Sequence, residues 1–450
     1  MLNGLLNPSL SGLDELGVAL LQTVAFAVLG VAFGAVIGFA LALIFHWRLV
    51  RVVCALLRSV HELFWALIFV QMFGLHPLTG LLALGIPYAA TFAKIYAEIL
   101  EEGNPQALKS LDPKSGSMSV FFYARLPDLW QHFKTYTSYR LECGLRASAV
   151  LGFVGLPTLG YNLSTAFMEG MYSQVWAILI LFYVLVASMR FWLRPVFLPI
   201  YLITAPFIIS NDSNISFENV QRFFTQDIIP KPLLKGEPMS AFFDWLLMLL
   251  SNQALPGIVN TLVLSQIALV ASGIIALVAF PLVSKQFFGP FGRSIGHAIL
   301  VILRSTPEYM LAFILLLLWG PSMLPAIVAL ALHNGAIIAH LIGRYSDQVM
   351  LRQDAAYGLN RYGYEIVPRV YGQFLAFLFY RWEVIFRETA ILGVLGIATL
   401  GFYIDSAIQD IRLDRAMLLI LITALINLLI DSLSRKIRSG LRLSSVLKLR

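Results

Sequence analysis

The chain has 450 residues, of which 59% are hydrophobic and 13% charged, with a mean hydropathy of +0.79. Soluble globular chains carry about 25% charged residues, so a soluble enzyme or binding domain is excluded. The net charge of +7 is no nucleic-acid signature, because the Lys and Arg residues sit in short loops between apolar runs.

The N-terminus, MLNGLLNPSLSGLDEL, lacks a basic stretch before its first apolar run, which argues against a cleaved signal peptide. Crossing a hydrocarbon core of about 30 Å takes roughly 20 apolar residues. Candidate spans lie near 16–45, 50–74, 79–100, 143–166 and 174–193. A shorter run, 197–210, is an eleventh candidate, and a polar, proline-bearing linker follows over 211–253. Within it, 241–250 (AFFDWLLMLL) reads as an amphipathic interfacial segment. The second series is 257–284, 296–319, 322–343, 384–404 and 416–433. Alternate loops hold the basic residues: Arg48 and Arg51, Lys109 to Lys134, Arg190 and Arg194, Lys285 and Arg293, and Arg435 to Arg438. By the positive-inside rule these face the cytoplasm, and the two halves point the same way. The expected organisation is 1–196 as a first unit, 197–253 as connector and 254–450 as a second unit.

The halves share a block. YRLECGLRASAVLGFVGLPTLG (139–160) recurs as YRWEVIFRETAILGVLGIATLG (380–401), displaced by 241 residues (381 − 140). Arg140, Glu142, Arg146, Gly152, Gly155 and Gly160 return as Arg381, Glu383, Arg387, Gly393, Gly396 and Gly401. A second pair of positions is displaced by 246 (304 − 58): Arg58, Ser59 and Glu62 return as Arg304, Ser305 and Glu308. A charge inside a span costs roughly 2.5–3.5 kcal/mol on insertion scales, so these residues need a reason. Arg58 with Glu62 and Arg304 with Glu308 are spaced as one helical turn, as are Glu142 with Arg146 and Glu383 with Arg387. Two readings stand. The arginines line a path for an anion, since a planar guanidinium suits phosphonate oxygens. Or each is neutralised by its own glutamate, and the pairs brace the bundle.

Each half also has a polar inner loop after its third span. The second contains DAAYGLNRYGYEIVPRV (354–370), which resembles the "EAA" ATPase-coupling motif of bacterial ABC-importer permeases. Asp354, Ala355 and Ala356 hold the acid-Ala-Ala positions, Asn360 stands at the usual turn glycine, and Pro368 closes the motif. In the first half Gln106, Ala107 and Leu108, then Asp112, then Pro127, take these places, and the acid is missing. The motif implies a short helix, a turn tolerant of positive φ, and a second short helix. With the Arg387 block, the Arg304-to-Glu308 run and the C-terminal LLIDSLSRKIR, the chain resembles the phosphonate-type permease family of ABC importers, as two permease units fused in one chain.

That resemblance implies an all-α polytopic fold, the duplicated type I (MetI-like) transmembrane fold, with about 10–12 transmembrane helices in a bacterial cytoplasmic membrane. It implies two ABC ATPase subunits and an extracytoplasmic substrate-binding protein as partners. ATP and Mg would be bound by the ATPase, with no cofactor in this chain. The cargo would be a phosphonate- or phosphite-type anion; a different solute such as thiamine is the alternative. A secondary transporter with parallel repeats, driven by an ion gradient, is the rival from another class. No catalytic residues are expected: the near-miss phosphate loop at 103–110 has Leu108 in place of its second glycine and no preceding strand. The seven histidines and two cysteines show no metal-ligand spacing along the chain.

Overall fold

The computed structural model describes residues 7–9, 15–101, 116–194, 196–209, 215–320, 322–352 and 354–441, and they contain helices and no strands. They fall into two compact units, Met1–Phe224 and Thr225–Arg450. The protein is an all-α, multi-pass membrane protein.

The first unit consists of α1 (Leu16–Leu43), α2 (Arg48–Ser59), α3 (Glu62–Phe73), α4 (Pro77–Glu101), α5 (Leu126–Val150), α6 (Leu159–Met168), α7 (Tyr172–Trp192) and α8 (Leu198–Ile209). The second consists of α9 (Met239–Val283), α10 (Pro290–Ser305), α11 (Glu308–Trp319), α12 (Met323–Ser346), α13 (Val367–Val394), α14 (Leu400–Gln409) and α15 (Leu413–Gly440). Within each unit the first and third long helices pack side by side, α1 on α4 and α9 on α12, and the fourth, α5 or α13, lies against them.

The runs 50–74 and 296–319, expected as straight spans, are each broken: α2 meets α3 at 91°, and α10 meets α11 at 92°. The local chemistry explains the break. Arg58 and Arg304 stand in the last turn of the incoming helix, and Glu62 and Glu308 in the first turn of the outgoing one. Each charge complements the helix terminus it occupies. In the second unit Pro307 also holds Thr306 in an extended conformation.

The runs 143–166 and 384–404 are likewise not single rods. Each is the end of a longer helix, a bend and a short helix, α5 to α6 (48°) and α13 to α14. The repeated glycines are the reason. Gly155 and Gly396 have φ of +96° and +85°, which side chains with a Cβ rarely adopt. A Cβ on Gly160 would lie 1.8 Å from the Ala149 carbonyl oxygen, and one on Gly401 would lie 2.0 Å from that of Ala390. A threonine from the first helix staples each bend. The Thr23 hydroxyl accepts from the Leu159 N–H at 2.9 Å, and the Thr261 hydroxyl accepts from the Leu400 N–H at 2.9 Å.

The 241–250 segment is not separate. It winds without interruption into the 45-residue α9. A widened π turn at Leu250–Ala254 carries the helix past Pro256. Similar turns at Phe121–Arg125 and Arg361–Ile366 precede Pro127 and Pro368. Proline lacks an N–H and clashes with the carbonyl four residues back, and a π turn relieves both problems without ending the helix.

Against the expected ten to twelve crossings, six helices among the described residues are long and apolar enough to span, or up to nine with each bent pair as one. The helix α8 is too short, and α13 carries Arg369, Arg381, Glu383, Arg387 and Glu388.

Candidate functional site

The two breaks in the second elements are built alike but furnished differently. Arg58 and Glu62, and Arg304 and Glu308, do not share one helical turn as their spacing suggested; they flank a right-angle corner. Ser59 is buried at the end of α2, its hydroxyl donating to the Leu56 carbonyl at 2.7 Å. Ser305 ends α10 half-buried.

A histidine faces the glutamate at both corners, but from different helices. In the first unit it is His61, in the corner itself, with Nε2 3.7 Å from Glu62. Its Nδ1 accepts the Leu63 N–H at 3.1 Å and so caps α3. In the second unit Pro307 takes that place. The histidine comes instead from α12: His333 Nε2 lies 3.9 Å from Glu308. Position 333 corresponds to Pro87 (333 − 246). Histidine and proline have thus changed places between the units, and the acid–imidazole contact is kept. The tautomers differ. A neutral His61, accepting at Nδ1, carries its proton on Nε2 and turns a donor towards Glu62. His333 Nδ1 lies 2.8 Å from the Thr306 carbonyl, which can only accept. Its neutral ring therefore has the proton on Nδ1 and a lone pair at Nε2.

Deeper in the second unit a buried network extends from this corner. Arg381 Nε donates to Asn334 Oδ1 at 2.6 Å, Asn334 Nδ2 donates to Glu388 Oε2 at 2.9 Å, and Arg381 Nη2 reaches Glu388 Oε1 at 3.4 Å. Arg381 and Glu388 are two helical turns apart on one face of α13 (388 − 381). Ligand atoms of Glu308, His333 and Glu388 lie within 4.8 Å of one another, a convergence that spacing along the chain does not reveal. These donors could hold a cation, while the Arg381 guanidinium already balances Glu388. The first unit has no such network at the matching positions, where Tyr88 and Ala147 replace Asn334 and Glu388. Arg140 instead donates to the Tyr136 hydroxyl at 2.7 Å and sits 5.4–6.0 Å from the rings of Tyr136, Tyr88 and Tyr139.

Glu142 with Arg146 and Glu383 with Arg387 each remain on one unbroken helix, α5 and α13, and all four are half-buried. Arg146 also reaches the Cys143 sulfur at 3.5 Å. Matching only repeated positions singles out Glu383 and Arg387 and overlooks Glu388, Asn334 and His333. The signal for them was the His-Asn pair inside the apolar run ALALHNGAII.

The inner loops differ from the helix–turn–helix expectation. Gln106, Ala107, Leu108 and Asp112 lie outside the described residues. In the second loop Asp354, Ala355 and Ala356 are not helical, and winding begins at Gly358. The positive φ falls on Gly358 (+64°) and not on Asn360, which is right-handed helical at φ −67°. Glycine takes the strained position because it lacks a Cβ. The helices start at Ser117 and Gly358, displaced by 241 (358 − 117). A one-residue slip then sets Asp112 and Gly116 against Asp354 and Gly358. In this register the first loop keeps the acid, at Asp112 and not among Gln106 to Leu108.

The two π turns and the helical turn before each present the same apolar pattern. Tyr123 and Tyr364 are 84% and 82% exposed, and Met118 and Leu359 are 71% and 87% exposed. Phe121 and Tyr362 instead turn inward, against Phe39 and Phe280. Arg361 anchors the second loop, donating to the carbonyls of Ala356 at 2.8 Å and Gln286 at 2.9 Å.

The chain is similar over 98% of its length, at 23% identity, to the phosphate-import permease protein PhnE of Mycolicibacterium smegmatis, covering 88% of that protein. It is 34% identical to the putative phosphite transport system permease HtxE of Stutzerimonas stutzeri, over 32% of this chain and 55% of the relative. To the phosphite transport system permease PtxC of the same organism it is 30% identical, over 38% of this chain and 66% of the relative. No family model matches the chain, and no solved structure does.

Proposed function

We propose that this chain, a relative of bacterial phosphate- and phosphite-import permeases, is the membrane-spanning part of an ATP-driven importer for a phosphonate-, phosphite- or phosphate-type anion. It acts as two permease units of the type I fold in one polypeptide, with the connector around 197–253. The observation that carries this reading is the pair of equivalent exposed turns, Met118 with Tyr123 and Leu359 with Tyr364. A soluble ATPase needs an apolar, solvent-facing handle on each unit, and exposed apolar patches of this kind mark interaction sites. ATP hydrolysis, with its Mg ion, belongs to two separate ATPase subunits that grip these turns and the segments 106–112 and 354–360. An extracytoplasmic binding protein delivers the anion. Arg58, Ser59 and Glu62, with Arg304, Ser305 and Glu308, line the inner path, and Glu142, Arg146, Glu383 and Arg387 brace the fourth helices beside it.

The test is uptake of labelled phosphite, phosphonate and phosphate by cells carrying this chain with its neighbouring ATPase. Uptake should cease when the ATPase is inactivated, and uptake that persists would sink the reading in favour of an ion-driven carrier. Tyr123→Ala with Tyr364→Ala should release the ATPase during purification. Arg58→Gln and Arg304→Gln should keep the ATPase bound while slowing uptake; normal uptake would remove these arginines from the path.

A further inference from the structure

The first unit holds an open, apolar cavity of about 560 Å³ on its flank, framed by α1, α5 and α8. Ala32 and Ala35 on α1 are small and leave room for it, and Leu198 and Leu202 of α8 form the opposite wall. Lys134 and Arg194 line the same cavity, with Trp130 beside them. Both cations are exposed, and neither side chain has a hydrogen bond or ion pair among the described residues. Both belong to the set of basic residues that the positive-inside rule assigns to the cytoplasmic side.

We infer that this cavity is a binding site for an anionic phospholipid of the inner leaflet. One acyl chain lies between α1 and α8, and the phosphate of the headgroup sits between Lys134 and Arg194. The chemistry is complementary at both ends. An apolar trough in a membrane protein's flank is filled by lipid chains, and two uncommitted cations at its cytoplasmic mouth select a negative headgroup. Trp130 is placed as an interfacial anchor at headgroup level. The site belongs to the first unit alone, since α8 has no counterpart among the described residues of the second.

The experiment is native mass spectrometry of the full chain in detergent, titrated with phosphatidylglycerol and with phosphatidylcholine. Phosphatidylglycerol should be retained in preference, and Lys134→Gln with Arg194→Gln should weaken that retention about thirtyfold, at about 1 kcal/mol per basic residue. Ala35→Trp, which fills the trough and keeps both cations, should abolish it. Equal retention of the two lipids, or preference unchanged in the double variant, would overturn the assignment. Displacement of the lipid by millimolar inorganic phosphate would do so as well, because it would make the pair a free-anion site. Quenching of Trp130 by brominated phosphatidylglycerol, lost in Trp130→Phe, gives an independent reading on the folded protein.

Discussion

The two units carry the same arginine at the same point of the fourth helix and treat it differently. Arg140 rests among three tyrosine rings and a phenol oxygen. Arg381 is tied to a carboxylate and an amide in a buried network that continues to Glu308 and His333. A duplicated scaffold thus holds one cation by polarisable aromatic faces and the other by a formal counter-charge. The backbone devices around them, the glycine bends and the threonine staples, are common to both. The frame is shared, and the chemistry inside it is where the units have parted.

The largest contrast should come from the arginines. Arg381→Met leaves Glu388 buried without its counter-charge, which costs about 3–5 kcal/mol. Arg140→Met forfeits cation–π contacts and costs about 1–2 kcal/mol. Equilibrium unfolding of the purified chain measures both, and Arg381→Met combined with Glu388→Leu should recover most of the loss. Equal costs for the two single changes would mean that the network adds nothing to the tyrosine cage. The glycines should show no contrast: Gly160→Ala and Gly401→Ala both press a Cβ into a carbonyl and should each cost about 1–3 kcal/mol. A marked inequality there would show that the bends are not equivalent.

The histidine exchange is tested by making the first unit resemble the second. His61→Pro removes the α3 cap, at about 1 kcal/mol, and should slow uptake. Adding Pro87→His should restore it, and failure to do so would separate the histidine from the glutamate's role. Thr23→Val and Thr261→Val should each cost about 1 kcal/mol by orphaning the helix N–H they accept. The smallest effect is a gain. Ile411 has φ +55°, while its counterpart in the first unit is Gly170, at +72°. Ile411→Gly should therefore raise stability by up to about 1 kcal/mol.

Much of the frame was legible in the sequence. The displaced block falls on both bends, although 143–166 and 384–404 read from the sequence as unbroken spans. The apolar runs gave the long helices α1, α4, α7, α12 and α15, since length and apolarity alone define a span. The right-angle corners were not read. Arg58 to Glu62 has the spacing of a helical pair, and spacing cannot distinguish a pair on one helix from a stop signal followed by a start signal. Glu388 and His333 escaped for a different reason: each also has a partner on another helix, Asn334 for Glu388 and Glu308 for His333, and neither residue is repeated. The proposed coupling loop was picked out by its acid and its proline. Its positive-φ turn falls two residues earlier than expected, on Gly358 and not Asn360, and Asp354, Ala355 and Ala356 are not helical.

The π turns ahead of Pro127 and Pro368 have a mechanical consequence. Since each proline is absorbed as a bulge, the inner end and the intramembrane part of the fourth helix form one continuous rod. Tyr364 and Arg381 are 17 residues apart (381 − 364), as are Tyr123 and Arg140, a reach of about 26 Å at 1.5 Å per residue. A load applied to either exposed tyrosine has no loop in which to dissipate. In each unit an uninterrupted helix thus links the exposed tyrosine to the arginine of the fourth helix.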